Sequence, residues 1–175
     1  MPALDHLWNG WRSAYVRSHD EGELKRAPRS VFVDILESGL SDEETHIVHR
    51  GRLVFAIMNA YPYASGHLLV LPYREVADLH DLTSAESIEL WDAVTTATIV
   101  LKKTHAPHAM NVGINLGPSA GGSISRHLHV HVVPRWEGDA NFMTAVANTR
   151  TLPEPLSESA GRIRDEWSRS TGQGQ

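Results

Sequence analysis

The sequence predicts an α+β domain in which an antiparallel β-sheet of about five strands packs against one long helix and short flanking helices. Short runs rich in β-branched residues lie on both sides of a single long segment with helical periodicity. One of the later runs alternates between histidines and apolar residues, as a half-buried strand does. Strands, a helix and then strands again are typical of a helix packed on one face of an antiparallel sheet.

The composition restricts both the architecture and the class of partner. A chain of 175 residues with 41% hydrophobic content is long enough to form one domain with its own core. The formal charge of -5 gives no general attraction to nucleic acid or to anionic membranes. The lack of cysteine excludes disulfides and thiolate zinc sites and favours a reducing compartment. Since no apolar run reaches the length of a membrane span, we expect a cytoplasmic protein.

We expect three regions along the chain. Residues 1–29 form an N-terminal extension, in which LWNGWRSAYV has the apolar spacing of a short helix that packs on the domain. Residues 30–145 form the domain itself, and residues 146–175 form a C-terminal tail with a short helix.

Turn and capping residues place the elements of the first half. THIVHRGRLVFAIMN contains two β-rich runs around Arg50 and Gly51, which indicates a hairpin. AYPYASG is a loop, and HLLVLP is a strand that ends at Pro72. In LTSAESIELWDAVTTATIVLKKT, a capping box from Thr83 to Glu86 and two lysines in the last turn predict the long helix.

The next segments lead to a strand with three histidines. MNVGIN predicts a short strand, LGPSAGGSIS a glycine-rich loop and RHLHVHVVP the last central strand. Because side chains alternate between the two faces of a strand, His127, His129 and His131 should share one face. The other face should carry the apolar residues between them.

Three explanations compete for this histidine face. It is a set of partly buried polar residues, a transition-metal site, or a site for nucleophilic and acid–base chemistry on phosphorus. The preceding loop favours the third, because Gly117, Gly121 and Gly122 let backbone N–H groups surround an anion. A nucleophile that attacks phosphorus needs such donors for the charge on the non-bridging oxygens, whereas a metal site gains nothing from them.

The same residues resemble a known family. His127-Leu-His129-Val-His131-Val-Val resembles the His-φ-His-φ-His-φ-φ signature, with φ apolar, of the histidine triad (HIT) superfamily of nucleotide hydrolases and transferases. FAIMNAYPYASGHLLVLPYREVADLHDLT resembles the second block of the family, with Asn59 eight residues before His67. NVGINLGPSAGGS matches the loop that leads to the triad. Within the superfamily, LWNGWRSAYV and HVVPRWEGDANF look most like the actinobacterial diadenosine tetraphosphate phosphorylase branch.

The resemblance implies a HIT-like fold, a homodimer and a double displacement that needs no metal or other cofactor. By resemblance, His129 is the nucleophile whose Nε2 attacks the α-phosphorus and forms a nucleotidyl-histidine intermediate. His131 then lies near the leaving oxygen and supplies hydrogen bonds or a proton to it. His127 and His67 orient the cluster from behind.

The resemblance also assigns the nucleotide-binding residues. Asn59 is expected to bind the ribose hydroxyls. Asn115, Gly121, Gly122 and Ser123 are expected to line the path of the phosphates, and Ser123 to share the leaving oxygen with the triad. The partners are therefore a nucleotide and water or inorganic phosphate as the acceptor, with neither nucleic acid nor a membrane involved.

The expected function is phosphorolysis or hydrolysis of a dinucleoside polyphosphate such as diadenosine tetraphosphate. The alternatives are a hydrolase of nucleoside phosphoramidates or adenylylated metabolites in specialised metabolism, a non-enzymatic nucleotide-binding protein, and a metal protein that uses the histidine strand. An intact triad argues against the non-enzymatic protein.

The chain also departs from its phosphorylase-like relatives. Ser30 and Val33 stand where those relatives carry the Cys-x-x-Cys of a zinc site, so a structural zinc of that type is not expected. The other histidines, His46, His49 and His105 among them, are expected to be ordinary surface residues.

Overall fold

The structure is a computed structural model that describes residues 29–120, 124–139 and 154–172. The predicted helix within the N-terminal extension lies outside these residues, as do Gly121, Gly122 and Ser123 of the glycine-rich loop. None of the described helices is long and apolar enough to cross a membrane.

Five antiparallel strands form one sheet, which confirms the predicted fold class. They are β1 (Ile47–Arg50), β2 (Val54–Met58), β3 (Leu68–Pro72), β4 (Ala109–Ile114) and β5 (Val130–Arg135). Their order across the sheet is β1-β2-β3-β5-β4. The predicted hairpin is the β1–β2 pair, in which Arg50 lies opposite Phe55. β5 therefore lies between β3 and β4, with hydrogen-bonded neighbours on both sides.

The described helices are α1 (Val31–Leu36), α2 (Asp42–Thr45), α3 (Ser84–His105) and α4 (Leu156–Gly172). α3 begins at the predicted capping box. The Thr83 hydroxyl accepts a hydrogen bond from the Glu86 N–H at 3.2 Å, and the Glu86 carboxylate accepts one from the Thr83 N–H at 2.8 Å. Arg74 also binds this carboxylate at 2.8 Å, and mainly for that reason the pKa of Glu86 falls to about 2.

The larger core lies between one face of the sheet and the two long helices. Strand residues such as Ala56, Val70 and Val132 pack there against α3 and α4. α4 is longer than the short helix expected for a tail, since it has 17 residues. It buries Ile163 and Trp167 in this core. The predicted limits of the domain, 30–145, stay a prediction, although α4 shares the core of the domain.

A second, smaller core lies on the opposite face of the sheet. α1 covers it, and its buried members are Phe32, Ile47, Phe55, Ile57, Leu69 and Leu71. α1 starts at Ser30, whose hydroxyl accepts the Phe32 N–H at 3.3 Å and caps the helix. Ser30 thus caps α1, at one of the two positions to which the resemblance assigned a cysteine in the relatives.

Candidate active site

The three triad histidines lie on the face of the sheet that α1 covers, as the alternation predicts. Leu128, Val130 and Val132 point the other way and belong to the larger core. On the histidine side, the Phe32 ring meets the His127 ring edge-on with centroids 5.4 Å apart. β5 begins only at Val130, so the first two histidines precede the regular strand. Their backbone is thus free for contacts other than ladder hydrogen bonds.

The proton of His127 is fixed by a backbone carbonyl. The ring is fully buried, and its Nε2–H donates to the carbonyl oxygen of Pro72, at 2.8 Å, at the end of β3. A carbonyl only accepts, so the neutral ring carries its proton on Nε2. Burial lowers the pKa of His127, which keeps the ring neutral. His127 is therefore held rigidly next to His129, whose ring binds its backbone carbonyl.

His129 has the opposite tautomer. Its Nδ1–H donates to the carbonyl oxygen of His127 at 2.7 Å, which leaves a lone pair on Nε2. Burial lowers the pKa of His129 as well, so this lone pair is not protonated at neutral pH. The centroid of the His129 ring lies 4.9 Å from that of His131. A neutral imidazole with a free Nε2 has the electronic state that a nitrogen nucleophile requires.

His67 and His131 form a hydrogen-bonded pair whose protons can be assigned. The backbone N–H of Tyr63 donates to Nδ1 of His67 at 3.0 Å, so this nitrogen is an acceptor and the proton lies on Nε2. His67 Nε2–H then donates to Nδ1 of His131 at 3.0 Å. The neutral His131 ring consequently carries its own proton on Nε2. Burial, followed by the charge of His129, lowers the pKa of His131 to about 4.

Two asparagines border this pair. The carboxamide of Asn115 lies 3.4 Å from Nε2 of His131. Because that nitrogen carries a proton, the amide oxygen is the atom that should face it, which a half-turn of the carboxamide provides. Asn59 lies beside His67, with its amide nitrogen 3.3 Å from Nδ1. Its oxygen accepts the Tyr61 N–H at 3.0 Å.

The structure thus brings together His67, His127, His129, His131, Asn59 and Asn115. Their individual roles stay predictions, and so does the phosphate-binding role of Gly121, Gly122 and Ser123, which lie outside the described residues. Two contributors were missed. Phe32 comes from a separate helix and gives no sequence signal of contact with the triad. Tyr63 acts through its backbone N–H, although its place four residues before His67 hinted at a tight turn.

Two expectations about the other histidines were wrong. His105 is not a surface residue, because only 3% of its side chain is exposed. His49 is only partly exposed and stacks on Trp167 of α4, with ring centroids 4.7 Å apart. Both side chains are covered by α4. The sequence predicted only a short helix at the end of the chain, so these contacts were not expected.

The triad does not fit a transition-metal site. Nε2 of His127 and Nδ1 of His129 bind backbone carbonyls, and Nδ1 of His131 binds His67. Of the remaining nitrogens, Nε2 of His131 carries a proton, and only Nδ1 of His127 and Nε2 of His129 have lone pairs. The three rings therefore do not offer three lone pairs to one metal ion. Within the described parts of the chain, no group of three or more His, Cys, Asp or Glu side chains is arranged to hold a metal ion.

Comparisons with known proteins show the family of the chain. A model of the HIT domain family matches residues 41–138. The chain belongs to the HIT family. An AP-4-A phosphorylase of Mycobacterium tuberculosis is 46% identical over 172 residues, which cover 95% of this chain and 86% of that protein. This match confirms the resemblance of our HIT protein to the actinobacterial branch.

Two further matches are more distant. A bis(5'-nucleosyl)-tetraphosphatase [asymmetrical] of Schizosaccharomyces pombe is 37% identical over 95 residues, which cover 54% of this HIT protein and 52% of that protein. The solved structure of a hypothetical histidine triad nucleotide-binding protein from Sulfolobus tokodaii is 26% identical, with a TM-score of 0.67. That match covers 83% of this HIT protein and 99% of the other chain.

Proposed function

We propose that this HIT protein cleaves a dinucleoside polyphosphate such as diadenosine tetraphosphate through a nucleotidyl-histidine intermediate, with inorganic phosphate as the preferred acceptor. The observation that carries the proposal is the protonation pattern of the triad. His129 presents an unprotonated Nε2, and its neighbour His131 presents a protonated Nε2. One ring can therefore attack phosphorus while the next donates a hydrogen bond.

In the first step, the lone pair on Nε2 of His129 forms a bond to the α-phosphorus. The bond from that phosphorus to the bridging oxygen breaks, and its electron pair stays with the leaving nucleotide. A terminal phosphate oxygen is a stable anion at neutral pH, so it needs a hydrogen bond rather than a proton. Nε2–H of His131 can provide this bond, with Asn115 3.4 Å away.

This chemistry favours a polyphosphate over a phosphoramidate. The amine that leaves from a phosphoramidate must take up a proton. The pKa of His131 is about 4, so only a small fraction of this ring is cationic at neutral pH and able to give a proton away. The site is therefore better matched to a phosphate leaving group, and the phosphoramidate hydrolase remains the second candidate.

The second step favours phosphate as the acceptor for a similar reason. An oxygen of the acceptor attacks the phosphorus, the bond to His129 breaks, and its electron pair returns to Nε2. Attacking water must lose a proton, and a buried imidazole whose pKa is lowered is a weak base for this task. A phosphate dianion attacks without losing a proton. It must be held in position instead, and we assign this role to Asn115, Gly121, Gly122 and Ser123.

We further propose that the HIT protein is a cytoplasmic homodimer. β4 is an edge strand whose backbone can pair with a second copy, and Val112 on it is exposed. α3 carries the exposed apolar residues Ile88, Trp91 and Ile99 at helical spacing. An isologous contact through these two elements would cover both features. The chain without cysteine suits a reducing cytoplasm.

The decisive experiment is an analysis of the products from diadenosine tetraphosphate, with and without inorganic phosphate. Phosphorolysis yields ADP and ATP, whereas hydrolysis yields AMP and ATP. We expect phosphate to redirect the product from AMP to ADP, and labelled phosphate to appear in ADP. Products that do not depend on phosphate would place the protein among the hydrolases, and no cleavage at all would refute the proposal.

Variants of the proposed acceptor site sharpen this experiment. Asn115→Ala and Gly122→Ala should weaken phosphorolysis more than hydrolysis, because they alter the groups that hold the phosphate dianion. Asn111→Ala is the matched control. This residue lies on β4, which ends directly before Asn115, but its side chain binds Arg135 at 2.9 Å. A control that changes the ADP-to-AMP ratio as much as Asn115→Ala does would contradict the assignment.

A further inference from the structure

The last residue of α3, His105, lies against the loop that carries His67. Gly66 has a φ of +76°, and a Cβ atom on it would lie 3.0 Å from Nε2 of His105 and 3.0 Å from a methyl carbon of Leu101. Contacts this short are rare for real Cβ atoms, so the imidazole occupies the space that a side chain at position 66 would need. His105 therefore packs on the backbone of the residue directly before His67.

His105 is held in place by polar contacts on both ring nitrogens. The hydroxyl of Thr104 donates to the carbonyl oxygen of Val100 and lies 2.8 Å from Nδ1 of His105. Nε2 lies 2.8 Å from the Ser159 hydroxyl, 3.0 Å from the Glu154 carboxylate and 3.2 Å from a guanidinium nitrogen of Arg162. Arg162 also binds Glu154 at 2.7 Å.

Two of these partners, Ser159 and Arg162, belong to α4. Ser159 is 1% exposed, so its contact with His105 forms inside the packed interface between α3 and α4. On the other side of Gly66, the turn is closed by the His67 N–H, which binds the carbonyl oxygen of Ala64 at 3.2 Å. The same turn brings the Tyr63 N–H to the His67 ring. A continuous series of contacts thus runs from α4 through His105 and Gly66 to His67 and His131.

We infer that His105 is a positioning residue for the reaction: it links the C-terminal helix to the turn that sets the His67–His131 hydrogen bond. The inference rests on the proposed function for its catalytic consequence. His105 touches no substrate. It fixes where Gly66 lies, and thereby the distance from the Tyr63 N–H and from His131 to the His67 ring. If the ring of His67 moves, its Nε2–H no longer fixes the tautomer of His131, and the hydrogen bond to the leaving oxygen weakens.

The test compares three variants by kcat, KM and melting temperature with diadenosine tetraphosphate. His105→Ala empties the space beside Gly66, and we expect kcat to fall about tenfold or more while KM changes by less than about twofold. His105→Gln places an amide oxygen near the position of Nε2, where Ser159 and Arg162 can still donate to it. It should therefore restore kcat to within about threefold of the wild type.

His49→Ala is the control for a merely structural effect. It removes the ring that stacks on Trp167, so it loosens α4 from β1, yet neither His49 nor Trp167 is among the nearest atoms to Gly66. We expect it to lower the melting temperature with kcat retained. An unchanged kcat in His105→Ala, or an equal fall of kcat in His49→Ala at the same loss of melting temperature, would overturn the inference. If His105→Ala does not fold, Ser159→Ala takes its place in the comparison.

Nitrogen-15 NMR of the histidine rings separates this inference from the proposed function. In the wild type we expect His67 to be unprotonated at Nδ1 and protonated at Nε2, and His131 to show the same tautomer. His105→Ala should shift the signals of both rings, whereas His49→Ala should not. Unchanged His67 and His131 signals in His105→Ala would overturn the positioning role. If the wild type does not cleave the dinucleotide but His105→Ala still shifts the signals of both rings, only the proposed substrate is refuted.

Discussion

The state of the triad predicts that the reaction continues well below the ordinary pKa of histidine. His129 must be neutral to attack, and His131 must be neutral for its Nδ1 to accept the hydrogen bond from His67 that sets the ring in place. Burial lowers the pKa of both rings, in the case of His131 from 6.5 to about 4. At pH 5.5, a ring with a pKa of 6.5 is neutral in about 9% of the molecules, whereas one with a pKa of about 4 is neutral in about 97%.

The assay is kcat/KM for diadenosine tetraphosphate between pH 4.5 and pH 8 at constant ionic strength, with circular dichroism to verify folding at each point. We expect the acid limb of the profile to lie below pH 6.5, with most of the activity retained at pH 5.5. The phosphates of the substrate do not produce this shift, because all of them are internal in a dinucleoside polyphosphate and each keeps one negative charge across this pH range. An acid limb centred at pH 6.5 or above would refute the protonation pattern that we derived.

The same lowered pKa predicts how stability changes with pH. Because the folded state favours the neutral His131 ring, the unfolded state binds more protons below pH 6.5, and the free energy of unfolding falls as the pH falls from 6.5 towards 4. The difference between these values corresponds to at most about 3 kcal/mol, or about 2 kcal/mol when solvent screening of this partly exposed ring is included. Denaturant unfolding of the wild type and of His131→Asn should differ in slope over this window and not above it.

Three further predictions concern the nucleophile, the metal and the C-terminal helix. His129→Asn should lower turnover by at least about 10³-fold with nucleotide binding retained, because the covalent route disappears; substantial turnover in a clean preparation would exclude the mechanism. Chelators should leave activity unchanged, since His127 and His129 each bind a backbone carbonyl and His131 binds His67; a stoichiometric transition metal in elemental analysis would contradict this. Trp167→Ala should destabilise the protein by about 3–5 kcal/mol in denaturant unfolding, because the ring is buried between α4 and the sheet; a loss below about 1 kcal/mol would show that α4 contributes little to the core.

The parts of the fold that the sequence predicted depend on local signals. The capping box at Thr83 starts α3 because its two hydrogen bonds join residues three apart. The alternation from His127 to His131 predicts the faces of β5 because side chains point to opposite sides of a strand at every residue. The three histidines of the family signature could likewise be recognised because they lie within five consecutive residues.

The parts that could not be predicted depend on contacts between distant segments. His105 and Ser159 are 54 positions apart, and nothing near either residue indicates that they meet. Their neighbourhood depends on α4 packing against α3. The spacing of Ala160, Ile163 and Trp167 along one helical face was a signal for this packing, but charged residues around them give the segment the composition of an exposed tail.

Three backbone groups set the protonation of the site, one of them through the ring of His67. The carbonyl of Pro72 fixes His127, the carbonyl of His127 fixes His129, and the N–H of Tyr63 fixes His67 and through it His131. Most side-chain substitutions leave these three groups in place; the exceptions are proline at position 63, which has no N–H, and a replacement of His67, whose ring connects Tyr63 to His131. Any other substitution disturbs the pattern by moving the backbone itself. Gly66 is the place where this is most easily done, because its left-handed conformation and its contact with His105 determine how the turn reaches His67.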